Sequence, residues 1–329
     1  MANMFSEEWL VSSENYTEVM ENEVLPWLEA KKKVDTVIGC SGKSLYTVSY
    51  DAEDPVATVV IVHGFTENAF KYSELIFSLL HNHFSVVAYD QRGHGRSWRM
   101  ESITDFSVTH VDHFEEYVID LKAVCDHFFP VAQKPLFVFA HSMGGAVASL
   151  FLEQYTDVFS AAVLCAPMIA PYTSGIPHTI AGLICNIGVA LGKSKKSPFF
   201  MKPWSGPEDF STSCATDPRR FAWYDAVKTS TECFHNSIPT YGWIKESLAV
   251  KRKILSDGSP EKISCPVLLF TAENDYSVLP GPQASFIRRV PDGKIVFVKD
   301  ARHEIYRSVN EVFFPWWHDI LEFFKEKGA

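Results

Sequence analysis

Ser142 stands where a continuous apolar run, Leu136 to Ala140, meets the small residues Gly144, Gly145 and Ala146. A strand that ends in a sharp bend and restarts as a helix lifts a serine at the bend above the sheet, where its hydroxyl can act as a nucleophile. Bulky side chains beside such a bend would clash. Gly144 and Gly145 meet that requirement on the helix side, and Ala140 adds only a methyl group where glycine is usual. The same serine could simply cap an ordinary helix. The buried strand before it and the small-residue helix after it favour the chemical reading.

A serine hydroxyl is a poor nucleophile at neutral pH. It needs a base within hydrogen-bond reach, and the base needs an orienting acid. An elbow serine is followed along the chain first by its acid and then by its histidine. Among the 12 histidines, His303 lies in a loop after the final strand. His63, His94 and His110 precede Ser142, His141 is locked beside the bend and points elsewhere, and His318 falls inside the closing helix. Asp275 follows the strand that ends at Thr271 and is the expected acid. Glu273 and Asp292 compete for that role, although Glu273 lies closer to the strand end and suits a hydrogen bond to the loop. Attack on an ester carbonyl places negative charge on its oxygen, and backbone N–H groups aimed at that point stabilise it. The N–H of Phe65, after His63 and Gly64, is the expected first donor, and the N–H of Met143 the second. Asp90 to Ser97 could be mistaken for a phosphate loop, but it lacks the strand–glycine–helix setting of one. It is read as a structural turn tied beneath the site.

Strands and helices must carry these residues to one edge. Val34 to Ile38 and Ser44 to Tyr50 read as an antiparallel edge pair after an acidic, partly helical lead-in over residues 1–33. Apolar strands at Ala57–Val62, Phe84–Tyr89, Leu136–Ala140 and Ser160–Ala166 then alternate with helical patterns. Such alternation means a mostly parallel sheet with helices on both faces. The rhythm stops over residues 167–245, which hold helical fragments and no clear strand. It returns at Pro266–Thr271, a helix near Gln283–Val290, the strand Lys294–Lys299 and a closing helix up to Lys327. The expected organisation is a core in two parts, 1–166 and 246–329, interrupted by a helical cap at 167–245. That cap falls over the C-terminal strand ends, where open α/β sheets place their sites.

The chain has 329 residues, 47% of them hydrophobic, which suits one large core with an insertion. A net charge of −10 argues against a nucleic-acid partner. Seven scattered cysteines without a C-x-x-C pair argue for reduced thiols in a cytoplasmic setting, and against a disulfide framework or a metal site. Met1 to Glu8 has neither the basic start nor the apolar run of a secretory signal. The longest apolar stretch, Ile176 to Leu191, is broken by Pro177, Gly182 and Gly188 and is too short to span a bilayer.

Val59–Gly64, Asp90–Ser97, Ala140–Gly145, Asp275 and His303 together resemble the serine α/β-hydrolases of the lysophospholipase and monoacylglycerol lipase group, over roughly residues 40–325. Arg219–Phe221, Pro239–Ser247 and His303–Ile305 are similar to the bacterial inner-membrane lysophospholipases within that group. The resemblance implies an α/β-hydrolase fold and cofactor-free hydrolysis of the single acyl ester of a glycerol-based lipid. It implies Ser142 as nucleophile, His303 as base, Asp275 as orienter, and Phe65 and Met143 as oxyanion donors. Two departures stand out: Ala140 at the bend, and the bulk of Phe65, which is expected to narrow the acyl entrance. The alternative on the same fold is a short-chain carboxylesterase or a serine aminopeptidase. Epoxide and dehalogenation chemistry is disfavoured, because it needs an aspartate where Ser142 stands. The insertion, read as the substrate-binding region, carries an apolar stripe at Ile176, Ile180, Leu183, Ile184, Ile187 and Leu191, followed by Lys193, Lys195, Lys196 and Lys202. Apolar side chains beside a basic cluster suit peripheral contact with an anionic membrane face. The opposing expectation is that the stripe packs on the core.

Overall fold

A computed structural model describes residues 6–129 and 135–328, so Met1 to Phe5 of the N-terminal stretch lie outside the described residues. Eight strands form one sheet in the order β1-β2-β4-β3-β6-β7-β9-β10. The edge pair β1 (Lys33–Ile38) and β2 (Ser44–Tyr50) is antiparallel, and β2 meets β4 (Phe84–Tyr89) antiparallel. From β4 onward, β3 (Ala57–Val62), β6 (Leu136–His141), β7 (Ala161–Cys165), β9 (Val267–Asn274) and β10 (Gly293–Arg302) run parallel. All six side chains of β6 are buried, as expected of a central strand covered on both faces. Side-chain alternation divides the core into two layers. Val59, Ile61, Phe137 and Phe139 face one, and Val60, Val62, Val138 and Ala140 face the other. α3 (Ser73–His81) and α10 (Asn310–Gly328) cover the first; α4 (Glu115–Phe128) and α5 (Met143–Gln154) cover the second.

The lead-in is helical at α1 (Tyr16–Val19) and α2 (Leu25–Lys31) and belongs to the core: Leu10, Val11, Val19, Met20 and Val24 are buried. Between β7 and β9 the chain passes through α6 (His178–Ala190), α7 (Pro218–Ser230) and α8 (Tyr241–Ile254). Two features differ from the expected pattern of this stretch. A short strand β8 (Ile238–Pro239) pairs in parallel with β5 (Val108–Thr109), outside the main sheet. Two residues are too few to show a period-2 pattern, so such a pair is invisible in the sequence. The expected boundary at 245 also falls inside α8. Its first turn begins with Tyr241 against Gly188 of α6, while Val250 and Ile254 enter the core. α9 (Pro280–Ile287) starts earlier than expected because Pro280 suits a first helical turn.

Arg220 on α7 ties three distant segments together. Its buried guanidinium donates to the Val11 and Ser308 carbonyls at 2.6 and 3.2 Å and to Asn310 Oδ1 at 2.9 Å, and it faces Glu74 and Asp217 at 3.4 and 3.3 Å. The insertion is thereby anchored at α7 to the lead-in and to the start of α10.

One buried acid lacks such a partner. Glu153 on α5 has an Oε1 without a hydrogen-bond partner among the described residues. Burial pushes its carboxyl up to about 8, against the smaller opposing pull of Arg289 and Lys262. The folded chain therefore keeps a proton that the unfolded chain gives up near the ordinary carboxylate range. Stability from this site must fall as pH rises across that window. Glu153→Gln is expected to leave melting unchanged near about pH 5 and to stabilise by about 1–3 kcal/mol near about pH 9. Thermal melts at the two pH values check this; equal effects at both contradict it.

Candidate active site

Ser142 sits between β6 and α5 with φ 52° and ψ −116°, a left-handed conformation that a non-glycine residue adopts only under constraint. The constraint is visible. Its N–H donates to the Cys165 carbonyl at 3.1 Å, and its own carbonyl accepts from Met168 at 2.8 Å and Ala146 at 3.2 Å. β7 and the chain beyond it thus hold the bend from one side. On the other side Gly144 lies against the end of β3: a Cβ there would come within 2.1 Å of the Val62 carbonyl oxygen. A Cβ on Gly145 would meet Pro167 at 2.5 Å. The Ala140 methyl is fully buried in the second core layer, which accounts for its tolerance beside the bend.

Asp275 and His303 immediately follow β9 and β10, and both strands run parallel to β6. Three carboxyl ends of one parallel sheet therefore bring the side chains together. His303 Nε2 lies 2.8 Å from Ser142 Oγ, and His303 Nδ1 lies 2.7 Å from Asp275 Oδ2. The other oxygen of Asp275 accepts from the N–H groups of Ser277 and Val278 at 2.8 and 3.1 Å, which fixes the carboxylate plane. Burial pushes the Asp275 carboxyl up, but His303 and these hydrogen bonds outweigh it and hold it below the usual range. With Nδ1 donating to Asp275, Nε2 is free to accept the serine proton. Glu273 stands apart from this chain of bonds. Its carboxylate accepts from the Asp300 N–H at 2.8 Å and shapes the loop before His303. The insertion is laced to the same loops. Arg302 donates to the Ser213 and Ala215 carbonyls, and Glu304 N–H donates to the Cys214 carbonyl.

The loop after β3 approaches the bend closely. A Cβ on Gly64 would lie 3.0 Å from Ser142 Cβ and 2.9 Å from His141 Nδ1. Phe65 follows Gly64, and Met143 follows Ser142, so the two expected N–H donors are each next in sequence to a residue of this contact. The Phe65 ring leans on Trp243 of α8 with centroids 4.3 Å apart, and the Trp243 Nε1–H donates to the Tyr117 hydroxyl at 3.2 Å. The bulk of Phe65 therefore joins the loop to the insertion. Asp90 and Arg92 are structural as expected. Asp90 accepts from the Ala69 and Arg96 N–H groups at 2.8 Å, and Arg92 grips Asp120 through two nitrogens at 2.5 and 2.7 Å.

A buried charged cluster behind this site has no counterpart in the sequence reading. Glu67 accepts from Gly64 N–H at 2.5 Å, Tyr72 at 2.6 Å, Tyr306 at 2.5 Å, Lys71 at 3.2 Å and His141 Nδ1 at 3.1 Å. His141 does point away from Ser142, but its Nε2 reaches the His303 carbonyl at 3.2 Å. Only the position of Glu67 three residues after Gly64 hinted at a loop-closing acid. Among the described residues no cluster of His, Cys, Asp and Glu is placed to hold a metal ion.

The family described as serine aminopeptidase, S33 matches residues 53–310. Lysophospholipase L2 of Escherichia coli (strain K12) is 28% identical over 301 residues, covering 86% of this chain and 84% of that protein. The monoglyceride lipase of Mus musculus is 30% identical over 155 residues, covering 44% of this chain and 47% of that protein. The fold is similar to a solved soluble variant of monoglyceride lipase from Saccharomyces cerevisiae in complex with a substrate analog, with a TM-score of 0.70, 18% identity and coverage of 91% of this chain and 96% of that one. With the family match spanning the elbow serine, Asp275, His303 and the strands from β3 to β10, the chain is an α/β-hydrolase and belongs to the serine aminopeptidase, S33 family.

Proposed function

We propose that this protein hydrolyses the single acyl ester of a lysophospholipid or monoacylglycerol through an acyl-enzyme. The observation that carries this is the continuous hydrogen-bonded chain from Ser142 Oγ through His303 to Asp275. In the proposed reaction Ser142 Oγ attacks the ester carbonyl while His303 takes its proton. The oxyanion rests on the N–H groups of Phe65 and Met143. His303 then returns the proton to the departing glycerol oxygen, leaving the acyl group on Ser142. A water activated by His303 releases the fatty acid and restores the serine. Asp275 holds the imidazole tautomer throughout.

The lipid substrate is supported by the relatives' names and by the insertion, residues 167–245, which we assign as a substrate-binding cap. A peptidase reading would need a carboxylate to hold a substrate ammonium. Glu208 pairs with Lys228, Asp217 with Arg220, and Asp209 caps a turn at Ser211, so these acids are committed to structure. A release assay on lysophospholipids, monoacylglycerols, short-chain p-nitrophenyl esters and an aminoacyl anilide tests the assignment. Faster turnover of the anilide than of any lipid ester overturns it.

We also assign the outer face of α6 to contact with an anionic membrane surface. The stripe does not pack on the core: Leu183 is 59% exposed, Ile187 52% and Leu191 67%. Lys193, Lys195, Lys196 and Lys202 are exposed beside it in a chain of net charge −10. No helix among the described residues is long and apolar enough to cross a membrane, so this contact is peripheral in kind. Each lysine near an anionic surface contributes about 1 kcal/mol, so the triple reversal Lys193→Glu, Lys195→Glu, Lys196→Glu is expected to weaken binding to phosphatidylglycerol vesicles by about a hundredfold. Cosedimentation at low salt measures it, and undiminished binding rejects the contact.

A further inference from the structure

We propose that Glu67 is a positioning residue that sets both the oxyanion loop and the catalytic histidine from behind; this rests on the proposed roles of Ser142, His303 and Phe65. Its two carboxylate oxygens divide the work. Oε2 accepts from the Gly64 N–H at 2.5 Å and from Tyr72 at 2.6 Å, and it faces His141 Nδ1 at 3.1 Å. Oε1 accepts from Tyr306 at 2.5 Å and Lys71 at 3.2 Å. The Gly64 carbonyl, in the same peptide group as the Phe65 N–H, is held by His63 Nδ1 at 2.8 Å and by the Glu67 N–H at 3.4 Å, so with the Gly64 N–H on the Glu67 carboxylate both peptide groups of this turn are pinned.

The second arm runs through His141. Both of its ring nitrogens face acceptors: the Glu67 carboxylate, and the His303 carbonyl at 3.2 Å. Only an imidazolium can donate to both. Burial alone would strip that proton, yet the Glu67 charge outweighs burial and raises His141 above its ordinary range. The Glu67 carboxyl is pushed up by burial but held well below the usual carboxylate range by His141, Lys71 and its hydrogen bonds. His141 keeps its charge in this dry position through Glu67, whereas the Glu67 carboxylate also has Lys71, Tyr72, Tyr306 and the Gly64 N–H. The His141 and His303 rings lie 4.8 Å apart between centroids, so an unbalanced cation there would oppose proton uptake by His303. Glu67 cancels that cation while leaving its hydrogen bond to the His303 backbone intact. Glu304 completes the enclosure: it pairs with Lys71 at 2.7 Å and with Arg307 at 2.6 Å, and these two cations hold its carboxyl at about 2 despite burial.

A buried carboxylate with these partners acts on geometry and charge, not on substrate. Glu67→Gln keeps the shape but cannot accept from all of Gly64, Tyr72, Tyr306 and His141. The expected result on p-nitrophenyl butyrate is a kcat lower by about tenfold to a hundredfold with KM changed less than about twofold, smaller than deletion of an oxyanion donor. Rates are normalised to active sites titrated with a fluorophosphonate, so lost folded protein does not count. His141→Gln, which severs only the second arm, is expected to lose less. The double variant is expected to lose less than the product of the two single losses, because both act on one path. An unchanged kcat per titrated site in Glu67→Gln overturns the proposal. Should that variant not fold, His141→Gln and Tyr306→Phe carry the test on the same scale, and an unchanged kcat in both overturns it. Ser142→Ala run alongside keeps the two readings apart: its survival as an active enzyme refutes the relay itself, not the role of Glu67.

Discussion

Ser142→Ala is expected to lower ester hydrolysis by on the order of 10⁴-fold or more while the protein melts within about 1 kcal/mol of the parent. The size of the loss follows from the arrangement. Removing Oγ leaves His303 and Asp275 hydrogen-bonded to each other at 2.7 Å but with nothing to deprotonate. What remains is ground-state binding and the N–H groups proposed for the oxyanion, which alone would give a small residue of catalysis. The fold has little reason to respond. The left-handed bend at residue 142 is held by backbone bonds to Cys165 and Met168, and alanine keeps both. The measurement is turnover of a monoacylglycerol and of p-nitrophenyl butyrate, with a thermal melt of the same preparation. Activity within about tenfold of the parent sinks the acyl-enzyme reading on Ser142.

The second large effect comes from a residue without a side chain. Gly144→Ala is expected to cut kcat by about 10²- to 10³-fold, the loss seen when an oxyanion donor is displaced. The new methyl would stand 2.1 Å from the Val62 carbonyl oxygen and 2.6 Å from that of His63. Both are backbone atoms of β3 and its exit, so no side chain can swing aside. Either the loop carrying Phe65 retreats or the start of α5 carrying Met143 does. In each case one of the two N–H groups proposed for the oxyanion is displaced. Overpacking of this kind also destabilises by about 1–3 kcal/mol. Gly182→Ala in α6 is the control. A Cβ there meets nothing within 4 Å, so activity is retained and the helix gains up to about 1 kcal/mol. Kinetics and urea melts of the two variants decide. Equal activity in both would show that the close approach of β3 to α5 does not matter to the site.

How much of this was legible in the chain depended on range. The central strands were legible because they are buried on both faces and read as unbroken apolar runs; β6 has no exposed residue. The positions of Asp275 and His303 were legible because a parallel sheet sends every strand end to one edge, so strand order alone predicts which loops meet. The Glu67 cluster was not legible. It joins Gly64, Lys71, Tyr72, His141 and Tyr306, whose proximity depends on how the turns before α3 and before α10 pack across the sheet end. No local pattern encodes that. The stripe on α6 shows a different gap. Periodicity shows that one face of a helix is apolar, but not what covers it, and Ile180 and Ile187, each about half exposed, show that this chain does not.

By itself, then, the sequence determined the alternation of strands and helices, the bend at Ser142 and the strand ends that carry the acid and the imidazole, because each is a short-range consequence of side-chain size, polarity and period. The tertiary structure decided which charges were forced to share a dry interior behind the bend, how Trp243 and Phe65 joined the insertion to the core, and which apolar face was left to solvent. Those are matters of which surfaces exclude water together, and that is settled only when elements far apart in the chain are packed against one another.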